Sequence, residues 1–160
     1  MAAFYIDTSA LFKRYRSEPG TPIVEELVDR RKPGEVFLTS YLTSLEVEAA
    51  VARALKARLL SQRASRVILG RFSQDSLDFL FVEPLTNAVV SAAIDVVRRH
   101  GLRAGDALHL ATAMSIRSQY PEMAFVTSDG ELASAAVTEG LTLLDPTHPS
   151  ALNAMHALRA

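Results

Sequence analysis

Five short apolar runs, residues 3–6, 36–39, 80–82, 125–127 and 141–144, recur along the chain with helix-like stretches between them. The first gives way to Asp7-Thr8-Ser9, the third to Glu83-Pro84 and the last to Asp145-Pro146, so each reads as a short buried strand. The intervening stretches carry helix punctuation. A short helix passes through Leu11, Phe12 and Tyr15 and stops near Glu18-Pro19-Gly20. Thr21 caps a second, with Pro22 in its first turn, that runs to about Arg31. Regions rich in Ala, Leu and Arg follow, over about 42–60 and then up to about 74. Thr86 caps a helix reaching His100, with Gly101 at its end; further helices run from Asp106 to about 119 and from 131 to 139. Strands alternating with helices predict an α/β fold, a central parallel sheet of about five strands with helices on both faces.

At 160 residues and 49% apolar, the chain suits one compact domain, taken as residues 1–146 with a tail at 147–160 that can form a short helix. The start meets a charge at once at Asp7, and no later uncharged stretch approaches the ~18 residues of a membrane span, so the expectation is a soluble, unexported, cytoplasmic protein. With no cysteine, disulfide frameworks and thiolate metal sites are excluded. A formal net charge of −1 carries no global nucleic-acid signature. Its distribution says more, because Arg53, Lys56, Arg58, Arg63, Arg66 and Arg71 fall in a segment without an acid.

The acids are placed differently. Asp7 ends the first strand, Asp129 closely follows the fourth, and Asp106 opens a helix, which puts three carboxylates where open α/β sheets bind ligands. Glu46, from the helix after the second strand, can lean into the same crevice; Glu48 faces elsewhere on that helix, and periodicity alone does not choose between them. Clustered carboxylates without Cys are the donor set of a hard cation such as Mg²⁺ or Mn²⁺. Each acid also has a plainer reading. Asp106 can be an N-cap, and Ser128 with Glu131, like Thr43 with Glu46, makes a capping box. His109, one turn after Asp106 and so near the same face, is a further candidate for the site, although a histidine among such apolar neighbours reads more readily as a packed core residue with one satisfied nitrogen. The basic segment reads equally as a solvated helix face or as a phosphate-binding one.

Taken together, Tyr5-Ile6-Asp7-Thr8-Ser9-Ala10-Leu11, Thr43-Ser44-Leu45-Glu46, Asp106-Ala107-Leu108-His109-Leu110-Ala111-Thr112-Ala113 and Thr127-Ser128-Asp129 resemble, in order and spacing, the motifs of PIN-domain ribonucleases. The likeness is strongest to the VapC toxins of toxin-antitoxin modules. It implies a three-layer α/β/α PIN-like domain and an acidic metal site of Asp7, Glu46, Asp106 and Asp129, choosing Glu46 over Glu48, with Ser9 and Thr127 as polar neighbours. It also implies RNA as substrate, a small VapB-like antitoxin as partner, and a homodimer. Gly105, directly before the third acid, and the tail beyond Pro146 are less typical of the pattern.

The ligand type sets the expected chemistry: Mg²⁺ or Mn²⁺ activates water for attack on a phosphodiester and stabilises the leaving oxygen. Arg53, Arg58, Arg63 and Arg66 are candidates for holding the RNA backbone. A PIN-domain processing nuclease that is not a toxin is the nearest alternative. A haloacid-dehalogenase-type phosphatase fits less well, since Ser9 stands where that family carries a second Asp. A PIN-like binding module whose acids only cap helices is the non-enzyme rival.

Overall fold

A computed structural model describes residues 2–160. In chain order its elements are β1 (Ala3–Ile6), α1 (Thr8–Leu11), a 3₁₀ turn (Phe12–Arg14), α2 (Thr21–Asp29), β2 (Val36–Ser40), α3 (Tyr41–Lys56), α4 (Gln62–Asp78), β3 (Leu80–Glu83), α5 (Asn87–His100), α6 (Ala104–Ile116), β4 (Ala124–Val126), α7 (Gly130–Thr138), β5 (Thr142–Leu144) and α8 (Ala151–Leu158). The strands form one parallel sheet in the order β3-β2-β1-β4-β5.

Continuous apolar strands are what a sheet covered on both faces requires. Side chains alternate along each strand, so Tyr5, Leu38 and Phe125 enter a core shared with α5, α6 and α7. Phe4, Ile6, Phe37 and Val126 enter a second core shared with α1, α2, α3, α4 and α8. Register pairs Phe4 with Phe37 and Tyr5 with Phe125, whose rings stack at 5.4 and 5.3 Å between centroids. These two cores make the three-layer α/β/α fold.

Several local expectations change. Thr21 is the first helical residue of α2, and Gly20, at φ 93°, occupies the cap. A side chain there would meet Lys13 Cδ and Pro146 O at 3.1 Å in addition to the strained backbone. The Thr21 hydroxyl instead ties the preceding turn together, donating to Lys13 O and accepting from Glu18 N. The long helical region divides after Lys56: Arg58 takes a left-handed conformation at φ 57°, and Ser61 caps α4 through the Ala64 N–H. The fourth strand stops at Val126, leaving Thr127 just beyond its end.

Residues 151–158 do form a helix, and it belongs to the body of the fold. Ala151 and Met155 are buried in the second core, and Arg159 Nη2 donates to Leu27 O at 2.6 Å and Glu35 Oε2 at 2.9 Å. Leu152, on the same helix, is 41% exposed. Met155→Ala should therefore cost about 2–5 kcal/mol, seen as a lowered urea midpoint with unchanged slope, whereas Leu152→Ala should stay within about 0.5 kcal/mol of the parent. Equal, small effects from the two changes would mean that α8 is not part of the core.

Candidate active site

The sheet order places β1 between β2 and β4. The chain first builds outward on one side, through β2 and β3, and then crosses to the other side of β1 with β4 and β5. Connections leaving β1 and β4 therefore diverge at their C-terminal ends and open a crevice there. A cavity of about 520 Å³ occupies it, lined by Asp7, Glu46, Asp106 and Asp129 together with Thr8, Ser9, Lys13, Arg53 and His109. Glu48 is exposed to solvent and outside it.

Asp7 is the most confined of the acids. It is 3% exposed and caps α1 by accepting from the Ala10 N–H at 2.9 Å. Ser9 Oγ lies 3.0 and 2.9 Å from its two oxygens, and Thr127 Oγ1 donates to Oδ2 at 3.0 Å. Ser9 also accepts from the Ser128 N–H, and Thr127 from the Asp129 N–H. Both expected polar neighbours are thus present, and they join the end of β1 to the turn after β4. Burial pushes the Asp7 carboxyl above its ordinary value, against the opposing pull of His109, the Ala10 N–H and the two hydroxyls.

Glu46 projects from the second turn of α3. Its Oε2 receives a hydrogen bond from Thr8 Oγ1 and lies 3.0 Å from His109 Nε2. Burial alone raises this carboxyl, but the bonds from His109 and Thr8 and the charge of Arg53 outweigh it, and the net shift is downward. The capping-box reading of Thr43 and Glu46 does not hold, since α3 is capped by Ser40 through the Leu42 N–H. His109 is buried, as a core residue is, yet both of its nitrogens are engaged: Nδ1 lies 3.0 Å from the Tyr5 hydroxyl, and Nε2 meets Glu46 and Thr8. Sequence reasoning missed Thr8, and it offered His109 as a candidate without its partners. The signals were the position of Thr8 beside Asp7 and the i, i+3 spacing of His109 from Asp106.

Asp106 is not a cap. α6 starts two residues earlier, after Arg103, so the Asp106 side chain stands in the first turn and accepts no hydrogen bond among the described residues. Its carboxyl is raised, first by burial and then by the negative charges of Asp129 and Asp7, with a smaller contribution from Glu46 and an opposing one from His109. Asp129, rather than Ser128, caps α7, accepting from the Leu132 N–H through Oδ1 at 2.9 Å. Asp129 both caps the helix and lines the cavity. Among the described residues, no three Asp, Glu or His side chains close into a ligand set as they stand.

Cations are fewer at the cavity. Arg53, one turn or so beyond Ala49 and Ala50 on α3, lines it. Lys13 lines it too, nearly buried and paired with Glu18 at 2.9 Å. Arg58, Arg63 and Arg66 are exposed on the α3–α4 junction and the start of α4, outside the lining.

The PIN-domain family model matches residues 4–137. Ribonuclease VapC35 of Mycobacterium tuberculosis is 32% identical over 142 residues, which cover 89% of this chain and 96% of that protein. Ribonuclease VapC45 of the same organism is 30% identical over 153 residues, covering 91% and 100%. Among solved structures, FitAcB from Neisseria gonorrhoeae matches with a TM-score of 0.65 at 21% identity, over 91% of this chain and 99% of that one. VapBC-1 from nontypeable Haemophilus influenzae matches at 0.61 and 16% identity, over 91% and 99%. At those identities the structures speak to the fold, and the sequence relatives to the lineage. On the extent of both matches, this chain belongs to the PIN-domain family, among its VapC-type ribonucleases.

Proposed function

We propose that the chain is a metal-dependent endoribonuclease that hydrolyses RNA phosphodiester bonds, and that it is the toxin of a toxin-antitoxin pair. The observation that carries the reading is the set of four carboxylates, Asp7, Glu46, Asp106 and Asp129, lining one cavity at the strand ends. The family's relatives are ribonucleases by name, and FitAcB and VapBC-1 are its fold neighbours. A small VapB-like antitoxin is the implied inhibitor and a homodimer the implied assembly. Exposed apolar side chains such as Tyr41 and Leu45 on α3 are consistent with partner surfaces.

The residues present fit Mg²⁺ or Mn²⁺. Every anionic donor is a carboxylate oxygen, and burial followed by the charges of Asp129 and Asp7 raises Asp106 in the absence of a cation. An open ligand set also suits an ion that retains several waters. When bound, the cation supplies Lewis acidity toward the phosphodiester and lowers the pKa of water. The chain's own part is to place the donors. Asp7 is held by the Ala10 N–H, Ser9 and Thr127, so its carboxylate cannot turn away. Glu46 is held by His109 and Thr8. Asp106 lines the cavity with no hydrogen bond to hold it among the described residues, and Asp129 lines it while capping α7. Arg53 at the cavity, with Arg58, Arg63 and Arg66 beyond it, supplies positive charge for flanking phosphates that the acidic centre repels.

RNA hydrolysis should therefore require Mg²⁺ or Mn²⁺ and stop on chelation with EDTA. Asp7→Asn, Glu46→Gln, Asp106→Asn and Asp129→Asn should each lower turnover by about a hundredfold or more, the scale of several kcal/mol of lost charge stabilisation. Glu48→Gln should leave it near the parent. Full activity after exhaustive chelation would sink the metal-dependent reading.

The raised carboxyl of Asp106 makes a separate prediction for metal-free protein. Its folded form holds a proton to higher pH than its unfolded form, so its contribution favours folding below the unfolded value and is lost as pH rises through the folded one. Asparagine cannot ionise. In EDTA, the thermal midpoint of Asp106→Asn relative to the parent should rise from acid toward neutral pH, even though the variant is inactive. A difference that stays flat with pH would show that the repulsion is not felt by the fold.

Replacing Arg58, Arg63 and Arg66 together with Gln should weaken RNA binding and reduce the slope of log affinity against log salt by up to about 3, with turnover at saturation little changed. Unaltered affinity and slope would leave those residues as a solvated helix face.

A further inference from the structure

Glu46 reaches the cavity on a side chain with free rotation about several bonds, yet groups from two other elements converge on its carboxylate. Thr8 on α1 and His109 on α6 both meet Oε2. An ionised carboxylate can only accept, so the His109 proton at this contact sits on Nε2. A neutral imidazole then offers Nδ1 as an acceptor, and the Tyr5 hydroxyl stands 3.0 Å from it. Tyr5 is wholly buried on β1 and stacked on Phe125, so its hydroxyl is fixed in place. The strand thereby sets the tautomer and angle of the ring, and the ring sets the carboxylate.

The other side is closed by an absence. A Cβ at Gly105 would stand 2.8 Å from Glu46 Oε1, closer than a carbon and an oxygen can approach, and 3.8 Å from Leu42 Cδ2. Gly105 lies within α6, where no positive φ calls for glycine. The explanation is steric: the bare Cα makes room for the carboxylate. Among the described residues no hydrogen bond reaches Oε1, so the two oxygens of Glu46 have different fates.

We propose that His109, braced by Tyr5, and the bare Cα of Gly105 are positioning elements that fix the Glu46 carboxylate in one orientation, with Oε2 engaged by the protein and Oε1 presented as a single donor to a divalent cation. The inference rests on Glu46 being a cation-binding carboxylate, as the function proposed above requires. It accounts for the glycine before the third acid and for a buried histidine with both nitrogens used.

The test is Mn²⁺ binding by calorimetry, with RNA turnover and the thermal midpoint in EDTA measured on the same full-length variants. Gly105→Ala presses only on the far end of a flexible side chain, and alanine favours a helix, so its midpoint should not fall. Its Mn²⁺ affinity and turnover should drop about 10- to 100-fold, the usual scale for losing an outer-sphere partner. His109→Leu should lose at least as much affinity, and His109→Gln, which returns an N–H near the Nε2 position, should recover part of it. Tyr5→Phe keeps the stacked ring and should weaken Mn²⁺ in the same direction. In a Glu46→Gln background these changes should cost no further affinity, because the group they position is gone. Parent-like Mn²⁺ affinity in Gly105→Ala, His109→Leu or Tyr5→Phe, alongside a weakened Glu46→Gln, overturns the positioning proposal and leaves the active-site reading intact. The same is true of equal losses in both backgrounds. Parent-like Mn²⁺ affinity and RNA cleavage in Glu46→Gln itself overturns the reading of the site and this inference with it.

Discussion

Like-charge repulsion among Asp7, Glu46, Asp106 and Asp129 is the constraint around which the upper end of this sheet is built. Carboxylates gathered in a half-buried crevice oppose one another's ionisation, and the surroundings answer differently for each. Asp7 is buried and surrounded by donors, Glu46 is pulled downward by an imidazole and a hydroxyl, and Asp129 spends one oxygen on a helix cap. Asp106 has only the charge of His109 to set against burial and its acidic neighbours, and its carboxyl is raised. A crevice whose acids oppose one another's ionisation gains by taking up positive charge.

The wall of the crevice nearest α1 is anchored away from the acids. Arg14, in the 3₁₀ turn, bonds to Asp75 on α4 through Nε at 2.7 Å and to Asp29 on α2 through Nη1 at 2.7 Å. Tyr15 adds a hydroxyl bond to the same Asp75 at 2.9 Å. Breaking one member of so enclosed a network leaves a charge without a partner, which penalises any drift of the turn. The segment that follows Asp7 is thus clamped between two helices, and Lys13 is delivered from it to the edge of the cavity.

Much of this was legible in the sequence, for identifiable reasons. Continuous apolar runs between capped helices gave an α/β sheet, because only strands covered on both faces read that way. Asp7 and Asp129 stood out because strand-to-helix junctions are short and punctuated. The roles at the junctions were harder. Gly20 took the cap expected of Thr21 because the chain must turn against Pro146, a contact distant in sequence. Asp106 lost its capping role to a helix that begins two residues earlier, a shift within the usual uncertainty of helix starts. His109 read as core because burial is what its apolar neighbours report. Its partners, Tyr5 and Glu46, lie 104 and 63 residues away, and no local pattern encodes them. Gly105 looked merely unusual until the Glu46 carboxylate was found lying over it.

The hydrogen bond from Thr127 to Asp7 spans 120 residues, and β4, which carries Thr127 to its place, pairs directly with β1. During synthesis the first acid emerges early and the last emerges late, so a nascent chain ending before residue 127 lacks both the fourth carboxylate and the hydroxyl that steadies the first. The four-carboxylate crevice is thereby completed only once β4 has been made and paired with β1. A fragment that stops short of β4 holds three of the four acids and only three of the five strands, so the crevice between β1 and β4 has one wall.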